Sequence, residues 1–508
     1  MTDPLRVTST THPRLYEIDT RSWLSRLSAR HGRRIRLGDV PSEEIKAIVE
    51  LGFDLVWLMG VWKTGAAGRR IWRASPWLRE SRARLLPDGS DRDVAGSPFA
   101  VAAYEVSDEL GGEEGLATLR RRLADAGLGL ILDFVPNHTA MDHPWVQRFP
   151  QWYVLGDKDL RVACPTDYFR SARRHWVAHG RDPNFPAWPD TAQLDYRNPD
   201  VHRAMIRVLR DVATRCDGVR CDMAMLVLGD VVRSTWGGRS SEPIGGQAPV
   251  GEFWWHAIHA VREAYPRFLF IAEAYWGLEW RLQQLGFDYT YDKTLLDRLT
   301  AGDGPAVAAH LRAEEEYQRR SVRFLENHDE PRASGVFGPE RHRAAAVLAA
   351  TVPGMLMIHE GELDGARLRA PVQFGRRPAE PVDEELRTFY RDLLRVTGTD
   401  PFRRGTANRI EPLAASPDDR SHEWIVARLW VGPRRSRRLA VVNLAPWPAQ
   451  AVLPLAVNDI ACDSLVFDDL FGPTRLVADS SEVSSRGFRI DLPPYGYHLF
   501  RIVGSRPQ

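Results

Sequence analysis

Lysine is almost missing from this chain. Among its 68 basic residues only Lys46, Lys63, Lys158 and Lys293 are lysines, and 67 acidic residues leave a formal net charge of +1. So even a balance leaves no electrostatic footprint for nucleic acid or for an anionic membrane surface, and the arginine excess reads as compositional bias. Long apolar runs are missing as well. No segment reaches the roughly 20 residues that a membrane-spanning helix needs, and MTDPLRVTST at the amino terminus has no apolar core for a signal peptide. The expectation is a cytoplasmic protein without a membrane partner. Cysteine is scarce: Cys164, Cys216, Cys221 and Cys462 show no CxxC or Cys/His ligand spacing. That excludes a zinc cluster and a disulfide framework and predicts buried free thiols, with Cys221 packing outward against a helix.

What is present is a set of short apolar runs that end in acids. With 508 residues and 57.6 kDa, the chain has room for a large core and two or three domains. The central run is Asp217 to Met225, DGVRCDMAM. Read as a strand, it puts Gly218, Arg220 and Asp222 on one face and Val219 and Cys221 on the other. A guanidinium beside a carboxylate keeps it ionised and aimed, as a carboxylate nucleophile requires. Taken alone, the pair equally fits an ordinary ion pair at a strand end. Three more runs share the design: LGLILDFVPN (128–137) with Asp133, FLFIAEAYW (268–276) with Glu273, and VRFLENHDE (322–330) with Asp329. Nearly continuous apolar runs suit parallel strands buried on both faces. Acids gathered at the carboxyl ends of such strands are what the active site of a (β/α)8 barrel needs.

DFVPNH (133–138), GVRCD (218–222), Glu273 in IAEAYW and NHD (327–329) resemble, in order and spacing, the four short sequence regions of the α-amylase superfamily, glycoside hydrolase family 13. The resemblance implies a (β/α)8 TIM barrel with a small inserted domain B and a C-terminal antiparallel β-sandwich. On this chain the barrel is expected over 1–138 and 198–400, domain B over 139–197, and the β-sandwich over 401–508. The β-sandwich also follows from the texture after Pro401, where short β-rich segments such as Glu423 to Val431 and Tyr497 to Ile502 replace helical stripes.

Along the chain, Leu15 to Trp23 reads as the first strand and Asp54 to Leu58 as the second, followed by a polar loop to about Ala95. Leu116, Leu119 and Leu123 share one helical face before Gly127. Asn198-Pro199 is an N-cap and first-turn pair for a helix whose apolar face is Val201, Met205, Val208 and Val212. Trp254, Ile258, Val261 and Tyr265 form the next such face, Phe287 to Tyr291 a sixth strand and Gly354 to His359 an eighth. Trp145, Trp152, Tyr153, Tyr168, Phe169, Trp176, Phe185 and Trp188 crowd the insert; most are expected to pack its own core, while exposed ones can stack on sugar rings.

By the resemblance, Asp222 is the nucleophile, Glu273 the general acid and base, and Asp329 the third carboxylate. Arg220 orients Asp222, Asp133 supports Arg220 from the neighbouring strand, and His138 and His328 bond the sugar. Phe99 falls where a sugar-stacking tyrosine is usual. The substrate implied is an oligosaccharide or small glucoside. No cofactor is required by this chemistry; calcium is left open, with Asn137 as its candidate ligand and Leu226 standing where the family's histidine would be. Read without the resemblance, His138, His328, Asp222 and Glu273 could mark a metal site, but their spacing fits no ligand pattern and Arg220 would repel a cation.

Departures from the family pattern bear on specificity. Met225 and Leu226 occupy positions where endo-acting members carry Lys and His toward the leaving-group sugars, and ENHDEPR (326–332) resembles the exo-acting α-glucosidases. These features imply short α-glucosides or maltooligosaccharides as substrates, cleaved through a covalent glucosyl-enzyme intermediate. An α-transglucosylase using sucrose or maltose is the alternative, because GSPFAVAAY resembles a stretch of such enzymes. A catalytically inactive binding or scaffold protein is the reading from another class, and the presence of Asp222, Glu273, Asp329 and Arg220 together argues against it.

Overall fold

In the computed structural model, which describes residues 11–240, 251–457, 460 and 462–505, eight parallel strands close into a barrel in chain order. They are β1 (Arg14–Asp19), β2 (Leu55–Met59), β3 (Gly129–Phe134), β4 (Gly218–Cys221), β5 (Leu269–Ala272), β6 (Tyr289–Tyr291), β7 (Ser321–Arg323) and β8 (Met355–His359), with β8 returning to pair with β1. The stretch MTDPLRVTST lies outside the described residues. Strands β2, β3 and β4 are buried at every position, as their unbroken apolar runs require when helices cover one face and the barrel interior the other.

Two strand ends differ from the sequence reading. β1 stops at Asp19, whose side chain accepts from the amides of Arg21 and Ser22 at 3.1 and 3.2 Å and so starts a helix over Thr20–His31 that buries Trp23. β7 covers only Ser321–Arg323; Phe324, Leu325 and Glu326 leave the ladder yet stay buried.

Helices α1 (Ser42–Glu50), α2 (Gly112–Asp125), α3 (Pro199–Ala213) and α4 (Phe253–Arg262) connect the first five strands. Leu116, Leu119 and Leu123 are buried on α2, and Gly127 beyond its end takes φ +81°, a conformation that favours glycine. Asn198 caps α3 by accepting from the Asp200 amide at 2.9 Å. Val201, Met205, Leu209 and Val212 form the inward face of α3, with Val208 only half-buried. Trp254, Ile258 and Val261 are buried on α4, whereas Tyr265 lies past its end and is exposed. The polar stretch before Ala95 is not a plain loop. It holds helices at Ala66–Ala74 and Pro76–Leu85, the second capped by Ser75 with Pro76 in its first turn.

Between β3 and α3 the chain forms two small antiparallel sheets, His138–Ala140 with Thr191–Gln193, and Leu155–Gly156, Trp176–Ala178 and Tyr168–Arg170. Its aromatics mostly pack on one another: Trp152 stacks on Phe149 at 4.2 Å and meets Trp145 edge-on at 5.0 Å, while Phe185 stays exposed.

After a short helix at Asp400–Arg404, strands β9 (Thr406–Ile410), β10 (Ile425–Val431), β11 (Arg437–Asn443), β12 (Ala449–Leu453), β13 (Ser464–Asp469), β14 (Arg475–Asp479), β15 (Phe488–Leu492) and β16 (Tyr497–Ser505) build an antiparallel sheet in the order β9-β10-β11-β16-β13-β14, with β12-β15 as a separate pair. The two-residue period of β10 shows how it is held. Ile425, Ala427 and Leu429 face the terminal domain's own core, while Val426 and Trp430 join the barrel's.

No helix among the described residues is long and apolar enough to cross a membrane. The four cysteines are free; Cys216 and Cys221 are buried as expected, but Cys164 and Cys462 are only partly so.

Candidate active site

The carboxyl ends of β3, β4 and β5 are stitched together by their backbones. The Asp222 amide donates to the Phe134 carbonyl at 2.9 Å, and the Glu273 amide to the Cys221 carbonyl at 3.1 Å. Both acids therefore leave their strands at one level, as first residues beyond β4 and β5. Arg220, completely buried, reaches both: Nη1 donates to Asp222 Oδ1 at 2.7 Å, and Nη2 lies 2.7 Å from Glu273 Oε2 in an ion pair whose angle falls short of an aligned hydrogen bond. Three rings surround its guanidinium, Trp57, Phe99 and Tyr291, at 5.1 to 5.7 Å. A cation walled in by π-faces and held by two anions has nowhere to move.

Glu273 is also gripped from the end of β4 and from its own segment beyond β5. Oε2 accepts from the Met223 amide at 2.6 Å, and Oε1 from Tyr275 Oη at 2.8 Å. Burial pushes its pKa up to about 7; Arg220 opposes that, and the negative charges of Asp222 and Asp329 reinforce it. Burial raises Asp222 too, against the pull of Arg220.

His328 and Asp329 sit in a turn shaped by Asn327, whose Oδ1 accepts the amides of Asp329 and Glu330, both at 2.9 Å. His328 lies between two carboxylates, with Nδ1 2.6 Å from Glu17 Oε1 and Nε2 3.0 Å from Asp329 Oδ2. Burial acts to lower the imidazole's pKa, but Asp329 and Glu17 outweigh it and hold it well above the ordinary histidine value. Asp329 keeps 48% of its side chain open to the cleft. Burial works against its charge, yet His328 and then Arg220 hold its carboxyl below the usual range.

The remaining expected residues are placed differently. Asp133 is the register partner of Arg220, but its oxygens accept from Trp57 Nε1 at 3.0 Å and the Gly60 amide at 2.7 Å. It therefore acts on Arg220 through charge alone, and with 1% exposure it offers nothing to a sugar. Phe99, half-buried, lies against His328 with ring centroids 5.3 Å apart. His138 packs on Trp188 at 5.0 Å, and burial lowers its pKa to about 3, so it is neutral. Met225 and Leu226 are buried in the turn Ala224–Val227, so this turn sends no polar group into the cleft.

Asn137, the candidate calcium ligand, is engaged within the protein. Its side chain is closed onto Gln193 as an amide pair at 2.9 and 3.2 Å, and nearby Asp195 is engaged by Arg197 through two contacts of 2.8 Å. No group of three or more His, Cys, Asp or Glu side chains among the described residues could hold a metal. The residues sequence reasoning missed are Glu17, Trp57, Tyr275, Tyr291, Gln193 and Trp276. Trp276, three residues past Glu273, combines a left-handed φ of +65° with an exposed ring.

Comparison with known proteins decides the family. The sequence model of the α-amylase catalytic domain matches residues 41–408. The chain belongs to the α-amylase family. Among α-amylase family relatives, α-amylase MalA of Haloarcula japonica is 25% identical over 310 residues, 59% of this chain and 40% of that protein. The salivary α-glucosidase of Aedes aegypti is 31% identical over 139 residues, 23% of this chain and 24% of its own length. The chain thus spans well under half of these two relatives. The crystal structure of a maltogenic α-amylase from Thermotoga neapolitana superposes over 97% of this chain and 99% of its own, with a TM-score of 0.67 at 20% identity, which shows the common fold.

Proposed function

We propose that this α-amylase family member is a retaining α-glycoside hydrolase that acts on short α-glucosides. The observation that carries the reading is the single buried guanidinium of Arg220 in contact with both Asp222 and Glu273 at 2.7 Å. One side chain that touches both carboxyl groups keeps them close, and close carboxyls, roughly 5 to 5.5 Å apart, are the arrangement of retention rather than inversion.

In the first step Asp222 attacks the anomeric carbon while Glu273 gives its proton to the leaving oxygen, so that the C–O bond to the leaving sugar breaks as the glycosyl-aspartate bond forms. Glu273 Oε2 is engaged by the Met223 amide and by Arg220, whereas Oε1 meets only the Tyr275 hydroxyl and is the oxygen that carries the proton. In the second step the same group, now ionised, takes a proton from water as water attacks the anomeric carbon and releases Asp222. Asp329, held ionised by His328 and half open, is placed to bond sugar hydroxyls as positive charge grows on the ring. Phe99 provides an apolar face beneath the sugar.

Preference for short substrates is supported by the buried Met225 and Leu226, which leave the turn after the nucleophile without a polar grip on a distal sugar. Arg332 of the NHDEPR stretch supports it only indirectly, because it is buried against His359 at 2.9 Å and Glu326 at 2.5 Å rather than turned to the cleft. The test is a product time course on maltose, isomaltose, trehalose, sucrose, maltotriose and soluble starch. Glucose released from the disaccharides and maltotriose, with starch cleaved slowly, is the expected result. Rapid mid-chain cleavage of starch with inert maltose overturns the short-substrate reading, and longer oligosaccharides accumulating from maltose assign transfer instead of hydrolysis.

A further inference from the structure

The terminal domain carries a cleft of about 870 Å³, none of whose lining residues belongs to the catalytic site. Its volume falls in the roughly 300 to 1,000 Å³ range of small-molecule sites. Trp424 and Trp447 form one corner of it, ring centroids 4.9 Å apart and planes at 67°, and its polar lining includes Asp419, Gln450, Asp491 and the ion pair of Arg420 with Glu423 at 2.6 Å.

The two indoles are held for different reasons. Trp424 lies against the barrel: a Cβ on Gly304 would come within 2.5 Å of its ring, so only glycine admits it there. That packing explains Trp424 but not Trp447, which is 45% exposed on a loop between Pro446 and Pro448. This loop is braced from beneath. Asn443, completely buried, donates through Nδ2 to the carbonyls of Trp447 at 2.8 Å and Pro493 at 2.9 Å, and its Oδ1 accepts the Ala445 amide at 2.9 Å. Two prolines and a fully satisfied buried amide fix the backbone that presents the ring. Neither indole N–H has a protein acceptor among the described residues, so each remains available as a donor. A large ring held rigidly in water, steeply inclined to a second one and rimmed by polar groups, has the features of a binding surface rather than of a core.

We propose that this cleft is a second carbohydrate site that takes a short stretch of an α-linked gluco-oligosaccharide. The chemistry selects a sugar. Pyranose C–H faces stack on indoles, while the ring hydroxyls find acceptors in Asp419 and Asp491 and donors in the two indole N–H groups, Glu423 and Gln450 being held by Arg420 and Arg489. The α-gluco identity of the sugar rests on the proposed function; the presence of a sugar site does not. A chain held here is retained on the protein while its end is processed elsewhere.

The test is native electrophoresis of the full-length protein through gels with and without glycogen, alongside hydrolysis of maltose. Wild type is expected to be retarded by glycogen. Trp447→Ala should weaken that retardation about fivefold in apparent dissociation constant, since stacking on one aromatic is worth on the order of 1 kcal/mol. Trp447→Phe should keep most of it, and Trp77→Ala, which removes a comparably exposed ring outside the cleft, should change nothing. Thermal melting of Trp447→Ala at the wild-type temperature establishes that the fold is intact. Glycogen retardation unchanged in Trp447→Ala, or absent in wild type, overturns the proposal. Retardation that depends on Trp447 in a protein inert on every α-glucoside leaves this site standing and removes the catalytic reading.

Discussion

Glu17 Oε1 stands 2.6 Å from His328 Nδ1, joining the first strand of the barrel to the turn that follows the seventh. Both groups are buried, and the imidazole's other nitrogen faces Asp329. Glu17 thus keeps His328 protonated, and His328 keeps Asp329 ionised and aimed. The charge on Asp329, which the proposed chemistry uses, is set from the far side of a histidine by a residue that touches no substrate.

Replacing Glu17 with Gln keeps the size and a weak acceptor but removes the charge. The pKa of His328, raised by its two carboxylates, should fall toward the ordinary value, so the imidazolium is lost at a lower pH than in wild type. A decrease of about tenfold or more in kcat/KM near neutrality, with less loss at acidic pH, is expected. A parallel loss at every pH would show that Glu17 serves the fold and not the charge of His328.

Asp222→Asn should reduce kcat on the order of 10⁴-fold or more, because nothing nearby can replace a nucleophile held by Arg220. Glu273→Gln should act selectively. With a good leaving group such as p-nitrophenolate the first step needs little protonation, so the loss there should be much smaller than on maltose. Equal losses on both substrates would remove Glu273 from the role of general acid.

The pH profile follows from the same two groups. Glu273, raised to about 7, must be protonated to give its proton away, so kcat/KM should decline as pH rises through about 7. Asp222 must be ionised, and its raised pKa sets the acid limb above the ordinary aspartate range. The two limbs belong to the coupled pair and are read as apparent values. In Glu273→Gln the basic limb should disappear; its persistence would assign it to another group.

Chelation should have no effect on this protein. Because the Asn137 amide is closed onto Gln193, treatment with EDTA should leave both the melting temperature and maltose hydrolysis unchanged, and added calcium should not raise either. A melting temperature that falls with EDTA and returns with calcium would show that the Asn137 region holds an ion after all.

The parts of this site that the sequence made legible are those where two signals coincide in one run. Asp133, Arg220, Asp222 and Glu273 each lie in or just beyond a short apolar strand, so their place at the barrel mouth follows from burial alone. Glu17 gave no such signal. It sits inside LYEID, where an acid reads as the polar half of an alternating strand, yet the structure buries it completely because a barrel interior tolerates a charge that a histidine neutralises. Asp133 lies beside Arg220 in register and acts on it through charge, while its hydrogen bonds go to the Trp57 indole and the Gly60 amide, which β2 and its loop bring in and which no spacing in the sequence announces. The helices at 66–85 went unseen because their apolar faces are short and arginine-rich; Ser75-Pro76 was the available cap signal. Gln193 is silent by spacing, since an amide pair with Asn137 joins residues 56 positions apart.

The central claim is that Asp222, held beside Glu273 by one arginine, forms a covalent bond to the sugar, and the anomeric configuration of the first-formed product tests it most directly. Proton NMR during the opening minutes of maltotriose hydrolysis, before mutarotation scrambles the signal, reads that configuration. Two successive displacements at the same carbon predict the α-anomer. A β-anomer as first product would mean a single displacement by water and would contradict the account.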